Sequence, residues 1–144
     1  MTKKLFVIVF LFLLIFQSNL QDLNALNMDN MNVMKDMKDI PITEELRLNV
    51  PNKYKKTWLQ AEKEIWEPWL REQDGFLGRK IFYNENKEEA LLLVSWKNKK
   101  LWKNISLNEV KKIQDKFEDK VKLALDLKTN PFEFVYEGEL FEQK

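Results

Sequence analysis

From residue 43 onward the apolar positions of the chain recur with two different periods. Leu46, Leu48 and Val50 alternate with Glu45, Arg47 and Asn49, which predicts a half-buried strand over Glu44–Val50, ended by Pro51. The spacing then becomes helical. Tyr54, Trp58, Ala61, Ile65 and Trp69 form a stripe, widened by Leu59, Trp66 and Leu70, from a cap-type Asn52 to about Arg71. Pro68 has no backbone N–H, so the helix is expected to kink or tighten there. Asp74-Gly75 predicts a turn into a second strand, Phe76–Tyr83, with Phe76 and Phe82 on one face and Leu77, Ile81 and Tyr83 on the other. A polar loop, Asn84–Glu88, leads to a third strand, Glu89–Trp96. A short helix over residues 98–104 precedes a longer one from Ser106, where Glu109 three residues on resembles a capping box. Val110, Ile113, Phe117, Val121 and Ala124 make its apolar stripe. Asn130-Pro131 opens a last strand, with Phe132, Phe134 and Tyr136 alternating against Glu133, Val135 and Glu137. The order is βαββαβ, an α+β unit over residues 43–141.

The two central strands are apolar on both faces. Leu92, Val94 and Trp96 can meet the helices, which leaves Leu91 and Leu93 without cover in a single-layer domain. A second layer is needed, most simply a second copy of the same chain. A homodimer through the sheet face is therefore expected, with Leu91 and Leu93 in the contact.

Ahead of this unit the pattern differs. Lys3 and Lys4 precede twelve unbroken apolar residues, Leu5–Phe16. A basic start and an apolar run of that length read as a secretory signal or short membrane anchor over residues 1–20; a bilayer span needs about 20 apolar residues. The expected destination is export or membrane association, with attachment through Leu5–Phe16. Translation starting at Met28, Met31, Met34 or Met37 would instead leave a cytoplasmic protein. Residues 21–42 read as a polar linker rich in Met and Asn. Its Met28, Met31, Met34 and Met37 recur every third residue. Soft thioether ligands at that spacing can hold Cu(I), and the same spacing also fits a low-complexity stretch or one face of a weak helix.

Composition narrows the chemistry. Charged residues make up 33% and leave a net charge of only +1, which gives no general argument for nucleic acid. The chain has neither Cys nor His. Disulfides, thiolate metal sites, Cys nucleophiles, Ser-His-Asp triads and His-ligated haem are thereby excluded. No metal site and no cofactor are called for. The alternating lysines and acids of the long helix read as a solvated face. The tryptophans of the first helix either pack as core or line a pocket for an aromatic ligand. Trp58, Trp66 and Trp96 are the candidate ligand-binding residues, and Glu62, one turn before Trp66, and Asn49 are the candidate catalytic ones.

A tryptophan- and proline-rich helix end, then Asp74-Gly75-Phe76-Leu77-Gly78, then a strand ending Val94-Ser95-Trp96-Lys97-Asn98, together resemble the antibiotic biosynthesis monooxygenase superfamily. Glu64-Ile65-Trp66-Glu67-Pro68 resembles more closely an uncharacterised cyanobacterial branch of it. The resemblance spans about residues 44–141. It implies a ferredoxin-like fold and a dimeric α/β barrel. It also implies a pocket near Trp96, which in haem-degrading relatives lines the haem site. Those relatives bind iron through a His that this chain lacks. In quinone-forming relatives, Asn and Trp side chains position a phenolic substrate; Asn49, Trp66 and Trp96 are chemically suited to this, although no motif position aligns with Asn49. Two functions follow as expectations: a small-molecule-binding or interaction module, or a cofactor-independent monooxygenase acting on a flat phenolic or quinone-type substrate.

Overall fold

The computed structural model describes residues 40–143. The leader, most of the linker and the Met28–Met37 repeat lie outside the described residues. The elements are β1 (Ile42–Asn49), a 3-10 turn (Asn52–Tyr54), α1 (Lys55–Ala61), a π-helical turn (Glu62–Trp66), α2 (Glu67–Arg71), β2 (Phe76–Asn84), β3 (Glu89–Trp96), α3 (Lys99–Lys103), α4 (Leu107–Leu125) and β4 (Glu133–Leu140). The four strands form one antiparallel sheet in the order β2-β3-β1-β4. With helical crossovers between β1 and β2 and between β3 and β4, this is the ferredoxin-like α+β fold that the order of elements predicts. Among the described residues no helix is long and apolar enough to cross a membrane.

Helices cover one face of the sheet, and two apolar clusters fill the space between. At one end Val50, Ala90 and Leu92 meet Trp58, Ala61, Phe117 and Val121. At the other, Ile42, Val94 and Trp96 meet Leu70 and Trp102. The opposite face is open. It carries Leu91 and Leu93, both partly buried, beside the exposed Phe82, Tyr136 and Leu140.

Two irregularities change which side chains share a face. In β2 the register shifts between Phe76 and Gly78, leaving Leu77 unpaired and 59% exposed. Phe76, opposite Trp96, therefore lies on the helix side with Ile81 and Tyr83, whereas Phe82 lies on the open side. The expected pairing of Phe76 with Phe82 on one face is corrected by this bulge. Gly78 meets the requirement for an unusual backbone there, at φ 152°. In β4 a bulge at Val135 acts in the same way: Phe134 pairs with Leu48, but Tyr136 pairs with Arg47. Phe134 and Tyr136 thus lie on opposite faces, and Glu137 and Glu139 turn to the helix side, opposite Leu46 and Glu44.

The first helix departs from the α register before Pro68. Its last π-type bond runs from the Glu67 N–H to the Glu62 carbonyl, just before the residue that has no N–H to give. Two expected caps also differ. Asn52 does not cap the helix; its amide donates to the Glu85 carbonyl at 3.1 Å and its Oδ1 lies 2.8 Å from the Tyr83 hydroxyl. Ser106 sits at the N-cap of α4 but makes no side-chain bond, so no capping box forms. Asn98 does cap α3, accepting the Leu101 N–H at 2.9 Å.

Candidate functional site

The helix-facing side of the sheet holds two carboxylates in very different settings. Glu62 projects from the π-helical turn and is 4% exposed. Arg79 of β2 reaches it: Nη1 donates to Glu62 Oε2 at 2.6 Å, and Nη2 donates to Glu67 Oε2 at 2.9 Å and to the Glu62 carbonyl at 3.3 Å. That carbonyl also accepts the Glu67 N–H across the π turn, and one guanidinium thus binds both side chain and backbone of the helix. Burial pushes the Glu62 carboxyl up to about 7, against the pull of Arg79. Burial also raises Glu67, but the hydrogen bonds from Arg79 and Arg71 outweigh it, and its net shift is downward. Glu62, the candidate base of the first helix, is thus held in an ion pair that ties α1 and α2 to the sheet.

Glu44 stands on β1, in phase with Ile42, Leu46 and Leu48 on the helix side. The residue as a whole is only partly buried, but its carboxyl is covered, and that burial pushes it up to about 7, with Glu137 adding to the rise. The Trp96 indole and Lys103 pull the other way. The Trp96 ring is 1% exposed, and its Nε1 lies close enough to act on Glu44 without completing a well-formed hydrogen bond. Glu137 is raised too, mainly by burial. Glu139 completes the acidic row and is held by Lys99 at 2.7 Å and Lys103 at 3.5 Å. Glu44 makes no ion pair of its own among the described residues, which separates it from Glu62. A carboxyl that takes up and releases a proton near neutral pH can serve as a general acid or base. It was absent from the candidates chosen by residue type, although a signal existed: a carboxylate in the apolar phase of a strand.

The remaining candidates disperse. Trp58 and Trp96 are both 1% exposed but belong to different apolar clusters. Trp96 packs edge-on against Phe76, centroids 5.7 Å apart. Trp66 is partly buried beside Trp69 at 5.6 Å. Asn49 is exposed on the open side, its amide 3.5 Å from Glu133 Oε2, so the sheet separates it from Glu62.

A cleft of about 350 Å³ opens between α1 and the edge strand β2. Trp58, Leu59, Ile81, Phe82 and Tyr83 provide its apolar walls; Lys55, Lys63, Glu67 and Arg79 provide its charges. Of the candidate tryptophans, Trp58 lines it. Strand β3 lies between this cleft and β1, which carries Glu44, so the two features are distinct places.

The chain matches no model of a known protein family and no curated protein. It is similar to solved structures at low identity. A dimeric ferredoxin-like protein from an uncultured marine organism is 14% identical, with 77% of this chain and 96% of that one covered at a TM-score of 0.47. A conserved protein from Methanosarcina mazei is 14% identical, covering 76% and 99% at 0.46. SnoaB, a cofactor-independent oxygenase from Streptomyces nogalater, is 10% identical, covering 73% and 95% at 0.43. The fold assignment stands on the strand order and crossovers of the chain itself.

Proposed function

We propose that this chain is a homodimeric small-molecule-binding module that holds a flat, largely apolar ligand between α1 and β2. The observation that carries this reading is the cleft of about 350 Å³ walled by Trp58, Leu59, Ile81 and Tyr83. Ligand sites are concave, mostly apolar and carry a few fixed polar groups, and this volume falls within their usual range of roughly 300–1,000 Å³. The dimer is supported by the open face of the sheet, where Leu91 and Leu93 sit beside the exposed Phe82, Tyr136 and Leu140. The same reading places the chain in the antibiotic biosynthesis monooxygenase superfamily, near the cyanobacterial branch that its Glu64–Pro68 segment resembles. Leu5–Phe16 then exports the module or holds it at a membrane.

A second reading, a cofactor-independent monooxygenase, is favoured by one observation: Glu44, poised near neutrality beside Trp96. In such an enzyme the carboxylate removes the proton of a phenolic substrate, and the resulting anion supplies the electrons to oxygen.

The test is a titration of the full chain with a panel of flat phenols and quinones, read by melting temperature and tryptophan fluorescence, with sedimentation alongside. Ligands that raise the melting temperature of a dimer are expected. A monomer that no member of the panel stabilises would overturn the proposal. Oxygen consumption with a bound phenol, abolished in Glu44→Gln, would establish the second reading in its place.

A further inference from the structure

We infer that the cleft between α1 and β2 takes an anion, an aromatic carboxylate whose ring lies on Trp58 and Tyr83; this rests on the binding reading above and adds the charge of the ligand. Buried polar atoms are paired as a rule. Among the described residues three buried side-chain nitrogens have no partner, and two of them, Trp58 Nε1 and Arg79 Nε, belong to residues that line this one cleft. Both side chains are 1% exposed. Arg79 cannot turn to find an acceptor, because its Nη1 and Nη2 are already committed to Glu62 and Glu67. The unmet groups are both donors, so what they lack is an acceptor.

The charges of the cleft point the same way. Lys55, Lys63 and Arg79 face a single lining carboxylate, Glu67, which Arg79 and Arg71 already engage. Lys55 is held by Glu85 at 2.9 Å and lies over the Tyr83 ring. Lys63 is exposed and makes no ion pair among the described residues. A carboxylate entering here meets a spare cation at the rim, above the residues that carry the unpartnered N–H groups, while Leu59 and Ile81 accept the apolar body. A neutral ring would use the walls and leave the donors unmet; a cation would be repelled.

The probes are 2-naphthoate and 2-naphthol, flat molecules of the same ring system of which only the first is charged at pH 7. The full-length protein is titrated with each while the indole N–H resonances are followed, that of Trp58 being assigned with Trp58→Phe. Naphthoate is expected to bind about tenfold more tightly, the scale of one charge-assisted hydrogen bond, and to move the Trp58 resonance. Lys63→Glu, an exposed change that leaves the core intact, should remove the preference without altering naphthol binding. Trp58→Phe should lower naphthoate affinity by a larger factor than naphthol affinity. Equal binding of the two probes would overturn the anion assignment and leave the apolar cleft standing. Binding of neither would overturn both.

Discussion

Glu62 and Glu44 are carboxylates under the same helical layer, and burial pushes both up to about 7, yet they do different work. Glu62 has a dedicated guanidinium at 2.6 Å and joins helix to sheet. Glu44 has an indole, two further glutamates and the smaller pull of Lys103. A buried carboxylate therefore says little by itself. Its partner decides whether it is part of the framework or a group free to exchange a proton.

The largest expected effect breaks the framework side of this comparison. Arg79→Met removes the cation from between Glu62 and Glu67 and leaves Glu62 buried. Breaking a buried pair from one side costs about 3–5 kcal/mol. Urea unfolding at pH 8 should show a loss of that order, and a loss below about 1 kcal/mol would mean that the ion pair does not hold the helix to the sheet. Adding Glu62→Leu to Arg79→Met should recover part of the loss, because no unpaired charge then remains.

The next effect belongs to Glu44 and depends on pH. Its folded carboxyl keeps a proton that the unfolded chain has released, so the folded state binds more protons between pH 4.5 and about 7. The Glu44 contribution to stability is then greatest below 4.5, falls as the pH rises to about 7, and is level above. Glu44→Gln keeps the shape of the neutral acid and should flatten this slope, gaining about 3 kcal/mol at pH 8 and little at pH 4. Glu62 titrates over the same range, so the comparison is variant against parent at each pH. Equal slopes in the two proteins would show that Glu44 ionises as an ordinary surface acid.

The smallest effect sharpens the setting of Glu44. Lys103 draws the carboxyl down, so Lys103→Met should move its midpoint upward by a few tenths of a pH unit. Carbon-13 NMR of the Glu44 side chain would follow this directly. An unmoved midpoint would remove Lys103 from the site and leave burial and Glu137 as the forces that set the proton.

Much of the fold was legible because its signals are local. The alternation of Leu46, Leu48 and Val50 needs only the two-residue period of a strand, and the Trp58–Trp69 stripe needs only the turn of a helix. The absence of His and Cys removed whole classes of chemistry without any structure. The candidate site was harder to read. Trp58 does line a cleft, but Glu62, chosen for its closeness to Trp66, is taken by an arginine 17 residues away. Glu44 was hidden by its type, since a strand phase containing Ile42, Leu46 and Leu48 carries it inward.

What the sequence determined alone is the order of elements, the two-sided apolar strands and the poverty of catalytic residue types. What only the tertiary structure decided is which side chains share a face. Bulges at Leu77 and Val135 each insert one residue, and because strand side chains alternate with a period of two, one residue reverses every position beyond it. Phe82 and Tyr136 go to the open side, and Glu137 and Glu139 come to lie in the row of Glu44. A bulge depends on the hydrogen bonds of the neighbouring strand, and that neighbour is far away in sequence.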